Sequence, residues 1–239
     1  MLFPTTQLIT LALTLAGSVA AVPAKKPTAT PTTQALKTNA PQPDPLIVTE
    51  PNVRVVGYRT LNAVAAQEYN KKGTITKDKR PESHRAGSQI GLGTYIMRKI
   101  GDYNVPGQND WICVIWANQE KFIRAKKAFI PQYQGKDQGR DKEIWFHEEK
   151  ITEFIKGFNF DPSQTLRLSE IDGGDVPHAM QMAIPDKMLN SRIGKNKLDL
   201  GARCKPVADL RNIDQYPAAD YTETSLGCWQ KSSGEQACR

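Results

Sequence analysis

The sequence WICVIWA at residues 111–117 is a continuous apolar run, rich in β-branched and aromatic side chains. A short run of this kind predicts a strand that is buried on both of its faces. A second strand, DKEIWF at residues 141–146, is predicted after a basic stretch. Side chains two residues apart on a strand point to the same face. We therefore expect Asp141 and Glu143 to enter one cavity, with Phe146 directed to a core.

An earlier apolar strand is predicted at residues 53–59, and it ends on Arg59. A guanidinium group suits phosphate because its planar fork donates two parallel hydrogen bonds. An arginine together with Asp141 and Glu143 therefore indicates a site for a phosphate-bearing substrate, in which the carboxylates stabilise positive charge elsewhere on that substrate.

Residues 1–20 have the composition of a secretory signal peptide. An apolar run covers residues 8–16, and Ser18 and Ala20 supply the small side chains of a cleavage site. The run is shorter than the roughly 20 residues that a membrane span requires. We therefore expect a secreted protein with no membrane association.

Residues 21–52 are rich in Pro, Thr and Ala. Such a segment buries too little apolar surface to offset its loss of conformational entropy, which predicts a disordered tail. Residues 53–239 then suit a single domain. The formal net charge of the chain is +7, but acids are interspersed among the bases. That pattern makes nucleic acid an improbable partner and fits a small anionic ligand or an acidic protein.

Four cysteines follow the predicted signal peptide, which favours two disulfides. Three pairings are possible. We prefer Cys113 with Cys204 and Cys228 with Cys238, because this pairing ties the C-terminal part to a central strand. No CxxC spacing is present and the histidines are scattered, so no metal site is predicted.

The remaining pattern alternates helices and strands. Helical spacing predicts a helix over residues 61–73, with Gly73 after its end. A second helix is predicted over residues 118–129, with Lys127 among its outward side chains. Short strands are predicted at residues 166–168 and 180–184.

Three segments, in this order, resemble the A chains of heat-labile enterotoxin and cholera toxin, which are mono-ADP-ribosyltransferases. They are Gly57-Tyr58-Arg59, the strand 111–117 with Phe122 closely after it, and Asp141-Lys142-Glu143-Ile144 leading into residues 150–160. Many secreted fungal proteins look similar. The resemblance covers roughly residues 53–160. It implies an α+β fold, in which a split, twisted β-sheet with peripheral helices surrounds an NAD cleft.

The resemblance also implies roles for particular residues. Glu143 would bind the ribose hydroxyl and stabilise the oxocarbenium character that develops when nicotinamide leaves NAD. Arg59 would hold the pyrophosphate, and Asp141 would orient the acceptor nucleophile. NAD is then the substrate, and the expected activity is that of a secreted effector or toxin that modifies a host macromolecule.

One segment departs from the enterotoxin pattern. Where that class has Ser-Thr-Ser, this chain has Gly93-Thr94-Tyr95. That sequence is similar to the Gly-x-Tyr segment of poly-ADP-ribosyltransferases, whose tyrosine stacks on nicotinamide. The similarity implies that Tyr95 stacks on the ligand and that Thr94 hydrogen-bonds to it. A mixed signature also fits an inactive member of the fold that binds a partner protein.

Each of these residues also has a purely structural interpretation. Arg59 would be a strand-end arginine, Glu143 a solvated edge charge and Tyr95 a core aromatic. Asp141 would pair with a basic neighbour. Together these interpretations describe a disulfide-stabilised secreted binding protein without a nucleotide site.

Overall fold

A computed structural model of the chain describes residues 44, 46–77, 88–135, 142–173, 176–189 and 197–222, and the backbone of residues 229–230 and 236–237. The predicted signal peptide and most of the predicted tail lie outside this set. Within it the chain forms a mixed α/β fold built on one open, twisted sheet. None of the described helices combines the length and the apolar character needed to cross a membrane.

The described residues contain nine strands and three α-helices. The strands are β1 (Val53–Leu61), β2 (Thr94–Met97), β3 (Trp111–Asn118), β4 (Lys127–Phe129), β5 (Leu166–Glu170), β6 (Met180–Ile184), β7 (Gly201–Pro206), β8 (Trp229–Gln230) and β9 (Gln236–Ala237). The helices are α1 (Ala63–Lys72), α2 (Gln119–Arg124) and α3 (Glu148–Lys156). The sheet order is β7-β3-β1-β2-β6-β5-β4-β8-β9. Pairing is antiparallel, except that β4 runs parallel to β5 and β8.

Strand β3 is buried on both faces, as its continuous apolar sequence predicts. Cys113 and Ile115 belong to the core cluster on one face. Ile112, Val114 and Trp116 belong to the cluster on the other face. Because side chains alternate along a strand, one apolar run supplies both layers.

Helix α1 confirms the helix predicted near residues 61–73. The Asn62 side chain accepts a hydrogen bond from the Ala65 backbone N–H at 3.0 Å and so caps the first turn. Gly73 follows the helix with φ 66°, a left-handed conformation that glycine adopts at little cost. Ala66 and Tyr69 pack into the cluster that contains Cys113.

The helix predicted over residues 118–129 is too long. Helix α2 ends at Arg124, and the chain turns into β4. Lys127, which was expected to face solvent, is fully buried. Its amine donates to the Phe122 carbonyl and, at 2.9 Å, to the Ala125 carbonyl. The lysine thus satisfies carbonyl groups at the C-terminal end of α2, a role that hydrophobic periodicity does not reveal.

Burial, and next the charge of Arg54, lower the pKa of Lys127 to about 7. In the unfolded chain this pKa is about 10.4. Between these values the unfolded chain binds a proton that the folded chain lacks. The free energy of unfolding should therefore rise with pH, by up to about 1.4 kcal/mol per pH unit. We expect Lys127→Met to remove this rise, measured as urea unfolding across neutral to alkaline pH.

The exposed neighbour Lys126 provides the matched control for that experiment. Lys126→Met should keep the wild-type dependence of unfolding free energy on pH. If Lys127→Met and wild type gave parallel curves between pH 7 and 10, Lys127 would carry its charge in the folded protein, and the expected linkage would be wrong.

The packed domain begins before residue 53. Leu46 is only 2% exposed and lies in the cluster that contains Trp116. Its backbone N–H donates to the Asp44 carboxylate at 2.9 Å, and Asp44 also accepts from the Tyr216 hydroxyl. The boundary predicted at residue 52 is therefore too late, because one buried leucine anchors a segment that otherwise has the composition of a tail.

The disulfide predicted between Cys113 and Cys204 is present, and it joins directly opposed positions of β3 and β7. Cys113 has no solvent exposure. The bridge therefore fastens a strand at the end of the sheet order to the strand that supplies both core layers. Cys228 and Cys238 lie outside the described residues, so their pairing stays a prediction.

Candidate functional site

Strands β1 and β2 diverge on either side of a short contact, and we call this place the parting of β1 and β2. The two strands pair at one position, Tyr58 opposite Met97, whereas β1 pairs with β3 along its whole length. Gly57 permits the close approach, because a Cβ there would lie 2.7 Å from the Met97 carbonyl oxygen. Arg59 follows directly after the paired position and is half-buried.

Two cavities open at this parting. The first, which we call the tyrosine cavity, has a volume of about 390 Å³ and is lined by Tyr58, Arg59, Thr60, Tyr95, Met97, Lys99, Ile100, Gly101, Tyr103, Asn104, Pro106 and Asp110. The second, the α1 cavity, has a volume of about 600 Å³ and is lined by Arg59, Thr60, Leu61, Asn62, Val64, Ala65, Glu68, Tyr69, Thr76 and Lys77. Arg59 and Thr60 line both, so the arginine lies where the two cavities meet.

Tyr95 contributes to the tyrosine cavity and to the loop that precedes β2. Its hydroxyl donates to the Gly91 carbonyl at 2.8 Å and accepts from the Ile90 N–H at 2.9 Å. Burial raises the pKa of this phenol. The hydroxyl is therefore committed to the protein, and an aromatic contact is what Tyr95 can offer a ligand.

Thr94 does not line either cavity. It is fully buried, and its hydroxyl lies 3.4 Å from the Thr76 carbonyl oxygen. A separation of that size makes only a weak hydrogen bond. The structure thus brings Arg59 and Tyr95 to one cavity. Thr94 is buried in the protein and lies outside both cavities.

The strand predicted at residues 141–146 is not formed in its described part. Glu143 makes an isolated bridge to Tyr133, and the chain then turns at Trp145 and Phe146. Ile144 and Trp145 are buried in succession, which breaks the alternation of a strand, and the Trp145 indole donates to the Ile130 carbonyl at 2.9 Å. Phe146, expected in the core, is 43% exposed.

Glu143 lines neither the tyrosine cavity nor the α1 cavity. Its backbone carbonyl accepts a hydrogen bond from the Lys150 amine at 2.9 Å. Asp141, the other predicted carboxylate, lies outside the described residues. The described part of the chain therefore brings together the predicted arginine and tyrosine but does not add the predicted glutamate to their cavities.

A partly buried ion pair supports the loop before β2, with the Arg167 side chain 4% exposed and that of Glu148 37% exposed. The Arg167 guanidinium binds both oxygens of Glu148, each at 3.0 Å. The same carboxylate accepts from the Leu92 N–H at 2.6 Å, and Arg167 donates to the Ile90 carbonyl at 3.2 Å. The pair therefore positions the backbone that in turn binds the Tyr95 hydroxyl. Nothing in the sequence around Arg167 indicates this partner.

A buried amide network lies beside this pair. The Gln181 side-chain amide donates to the Gln89 side-chain oxygen at 2.6 Å and to the Ser169 hydroxyl at 3.1 Å. Gln181 stands opposite Met97, a residue of the tyrosine cavity. The network joins the start of the Gly91 loop to β5 and β6, which fixes the strand that carries Tyr95.

Gly91 packs directly against the ion pair between Arg167 and Glu148, which leaves no room for a side chain. A Cβ there would lie 2.0 Å from an Arg167 nitrogen and 2.2 Å from a Glu148 oxygen, and φ is +87°. We expect Gly91→Ala to lower the free energy of unfolding by roughly 3 kcal/mol, because it strains the backbone and displaces a partly buried ion pair whose arginine is itself buried. Guanidinium unfolding measures this change.

Gly101 is the matched control for Gly91. Its φ is +88°, but a Cβ there would meet no atom within 4 Å among the described residues. Gly101→Ala should therefore show only the backbone cost of about 1 kcal/mol. Equal losses at the two positions would contradict the proposed importance of the ion pair.

Comparison with models of known protein families gives a match over the larger part of the chain. Residues 88–235, more than half of the chain, match a family of unknown function, DUF5910. This region includes Tyr95, Glu143, Glu148 and Arg167, whereas Arg59 precedes it. No curated protein matches the chain, and no solved structure does. The chain belongs to the family of unknown function DUF5910.

Proposed function

We propose that this protein is a secreted ADP-ribosyltransferase-like effector or toxin that binds NAD at the parting of β1 and β2 and transfers ADP-ribose to a host macromolecule. The observation that carries the proposal is that Arg59 lines two cavities at once. A dinucleotide has two halves joined by a pyrophosphate. A guanidinium between two cavities suits such a ligand, because its fork matches phosphate oxygens.

The lining of the tyrosine cavity supports the same ligand. Tyr95 and Tyr103 provide aromatic surface, on which a flat ring can stack. Lys99 adds a second positive charge to the cavity. Aromatic faces beside cations are what the nicotinamide and phosphate groups of NAD require.

The proposed reaction breaks the glycosidic bond between nicotinamide and ribose. Nicotinamide leaves with the bonding electron pair, and the ribose carbon then forms a bond to a nucleophilic atom of the acceptor, which loses its proton. A carboxylate beside the ribose stabilises the positive charge that develops before the new bond is complete. Glu143 is the residue proposed for this role, and Asp141 is proposed to orient the acceptor.

The position of Glu143 favours a second candidate function. Glu143 lines neither cavity, and the carboxylates that do are engaged elsewhere. Asp110 accepts from the Gly107 N–H at 2.8 Å, and Glu68 pairs with Lys72 at 2.6 Å. These contacts support a secreted member of the fold that binds a ligand or a partner protein without turning NAD over.

The test measures NAD binding by calorimetry and nicotinamide release by chromatography, using the purified exported protein. Binding with release that Glu143→Gln abolishes would establish the enzyme. Binding without release would establish the inactive candidate. Absence of both would refute the nucleotide site and leave a disulfide-stabilised binding protein. For an active enzyme, NAD labelled in the adenylate moiety and added to cell extracts would identify the acceptor.

A further inference from the structure

A third cavity lies away from the parting of β1 and β2 and shares no lining residue with the other two. Its volume is about 470 Å³. We call it the basic cavity, and it is lined by Lys121, Arg124, Ala125, Lys126, Asn159, Phe160, Asp161, Gln164, Thr165, Met188, Lys197 and Leu198. Four of these side chains are cationic and one is acidic, so the cavity selects for negative charge.

Two of the four cations have carboxylate partners. Lys121 pairs with Asp199 at 2.6 Å, and Arg124 pairs with Glu120 at 3.3 Å. The other two, Lys126 and Lys197, form no ion pair with any carboxylate in the described part of the chain. Lys126 lies over the Phe160 ring at 4.9 Å from its centroid.

Lys197 has a neutral hydrogen-bond partner, the Gln164 side-chain oxygen. An amide oxygen leaves the positive charge of an ammonium group uncompensated. Lys126 and Lys197 therefore supply the net positive charge of the basic cavity.

The acidic residue of the cavity, Asp161, offsets one of the two positive charges but forms no ion pair with either lysine in the described part of the chain. One of its oxygens accepts from the Ser163 hydroxyl at 2.7 Å and the Ser163 N–H at 2.9 Å. The other accepts from the Gln164 side-chain amide at 2.8 Å. The hydrogen bonds from Ser163 lower the pKa of Asp161, although it is exposed. The carboxylate is thus committed to capping its own turn.

The rest of the lining is mixed, with the polar residues Asn159, Gln164 and Thr165 beside the apolar Ala125, Phe160, Met188 and Leu198. Met188 and Leu198 are each only 2% exposed, so the half-buried ring of Phe160 provides the accessible apolar surface. A free inorganic anion would not use this ring. The combination of an apolar ring and uncompensated ammonium groups fits a ligand that has both parts.

We propose that the basic cavity binds a small ligand in which a phosphate or sulfate group is attached to a flat apolar body. Lys126 and Lys197 bind the oxyanion, and the apolar body packs on the half-buried ring of Phe160. This site is independent of the NAD proposal, because its lining excludes Arg59 and Tyr95.

Calorimetric titration with phenyl phosphate and phenyl sulfate tests the proposal. Inorganic phosphate, inorganic sulfate and phenol are titrated separately, because they represent the oxyanion and the apolar body of each ester. At least one aryl ester should bind about tenfold more tightly than either of its halves, because only the ester uses both parts of the cavity. The better of the two esters identifies the oxyanion. Affinity should fall as salt rises from about 50 to about 200 mM, because the lysines are partly exposed.

Substitutions separate the two parts of the site. Lys126→Gln and Lys197→Gln should each weaken binding of the ester about tenfold, since each removes one charge-assisted hydrogen bond. Lys71→Gln, on the exposed last turn of α1, removes the same charge elsewhere and should leave affinity within twofold. Phe160→Leu should reduce the advantage of the ester over the inorganic anion and spare the anion itself.

Three outcomes would overturn the proposal. One is failure of both esters to bind, and another is an equal loss of affinity in the Lys71 control, which would indicate a general charge effect. The third is an ester that binds no better than its inorganic anion. Thermal unfolding of each variant, matched to wild type, excludes misfolding as the cause of any loss.

Discussion

Arg59→Gln is expected to weaken NAD binding about a hundredfold. The substitution removes the guanidinium group that would contact the pyrophosphate between the two cavities. Loss of a pair of charge-assisted hydrogen bonds lowers affinity by about this factor. Gln retains most of the side-chain length and some donor capacity, so the loss reports charge and geometry more than volume. Calorimetry with NAD gives the affinity directly.

Arg59→Lys sharpens this prediction. Lysine keeps the positive charge but offers a compact ammonium group in place of the planar fork. If Arg59 binds two phosphate oxygens at once, lysine should restore only a small part of the lost affinity. Full rescue by lysine would contradict bidentate binding and would reduce the role of Arg59 to that of a general positive charge.

The other arginine of β1 serves as the control. Arg54 donates to the Asp220 carbonyl at 2.9 Å and lies over the Phe122 ring, and it lines neither cavity at the parting. Arg54→Gln should lower stability and leave NAD affinity within twofold. An equal loss of affinity in both variants would refute a specific contact between Arg59 and NAD, because damage to β1 alone would then explain the result.

Strands β1, β3, β5 and β6 and the first helix were predictable because their signals are local. A continuous apolar run predicts a strand buried on both faces, and β3 supplies alternate side chains to two core layers. Apolar spacing with Gly73 after it predicts a helix that ends there, and α1 does so; the structure adds Asn62 as the N-terminal cap. The pairing of Cys113 with Cys204 needed only the assumption that the bridge ties the C-terminal part to β3.

Glu143 shows where the same reasoning failed. A six-residue alternation predicted a strand, but in the described part only Glu143 pairs, with Tyr133, and Phe146 adopts a positive φ of 66° that ends the extended backbone. Ile144 and Trp145 are buried in succession. Tertiary packing therefore overrode a short local pattern, and the face on which Glu143 lies could not be obtained from its spacing to Asp141.

The support of Tyr95 was beyond sequence reasoning for a different reason. Glu148 and Arg167 lie 19 residues apart on different elements, and each contacts the Gly91 loop far earlier in the chain. Such a network depends on the arrangement of several elements at once. In the sequence Glu148 is one acid at the start of a helix, and Arg167 interrupts a short apolar strand without indicating its partner.

Replacing both Cys113 and Cys204 with alanine is expected to lower the free energy of unfolding by roughly 4 kcal/mol. The bridge spans a sequence separation of 91 residues, and constraining so long a loop removes much conformational entropy from the unfolded chain. Both residues are buried in one core cluster, so the lost sulfur atoms add a smaller packing cost. Guanidinium unfolding followed by tryptophan fluorescence measures the change.

Reduction of the wild-type protein provides the control for this prediction, since it opens the bridge without changing the sequence. The reduced protein should lose the stability that the bridge contributes but not the packing cost of the double variant, together with whatever a second bridge contributes. Any further loss that the variant shows on reduction reports the second bridge predicted between Cys228 and Cys238, which mass measurement would show as a gain of two hydrogens. A loss of less than about 1 kcal/mol in the free energy of unfolding of the double variant would contradict this prediction. The pairing and packing of β3 and β7 would then stabilise this edge of the sheet without a significant contribution from the bridge.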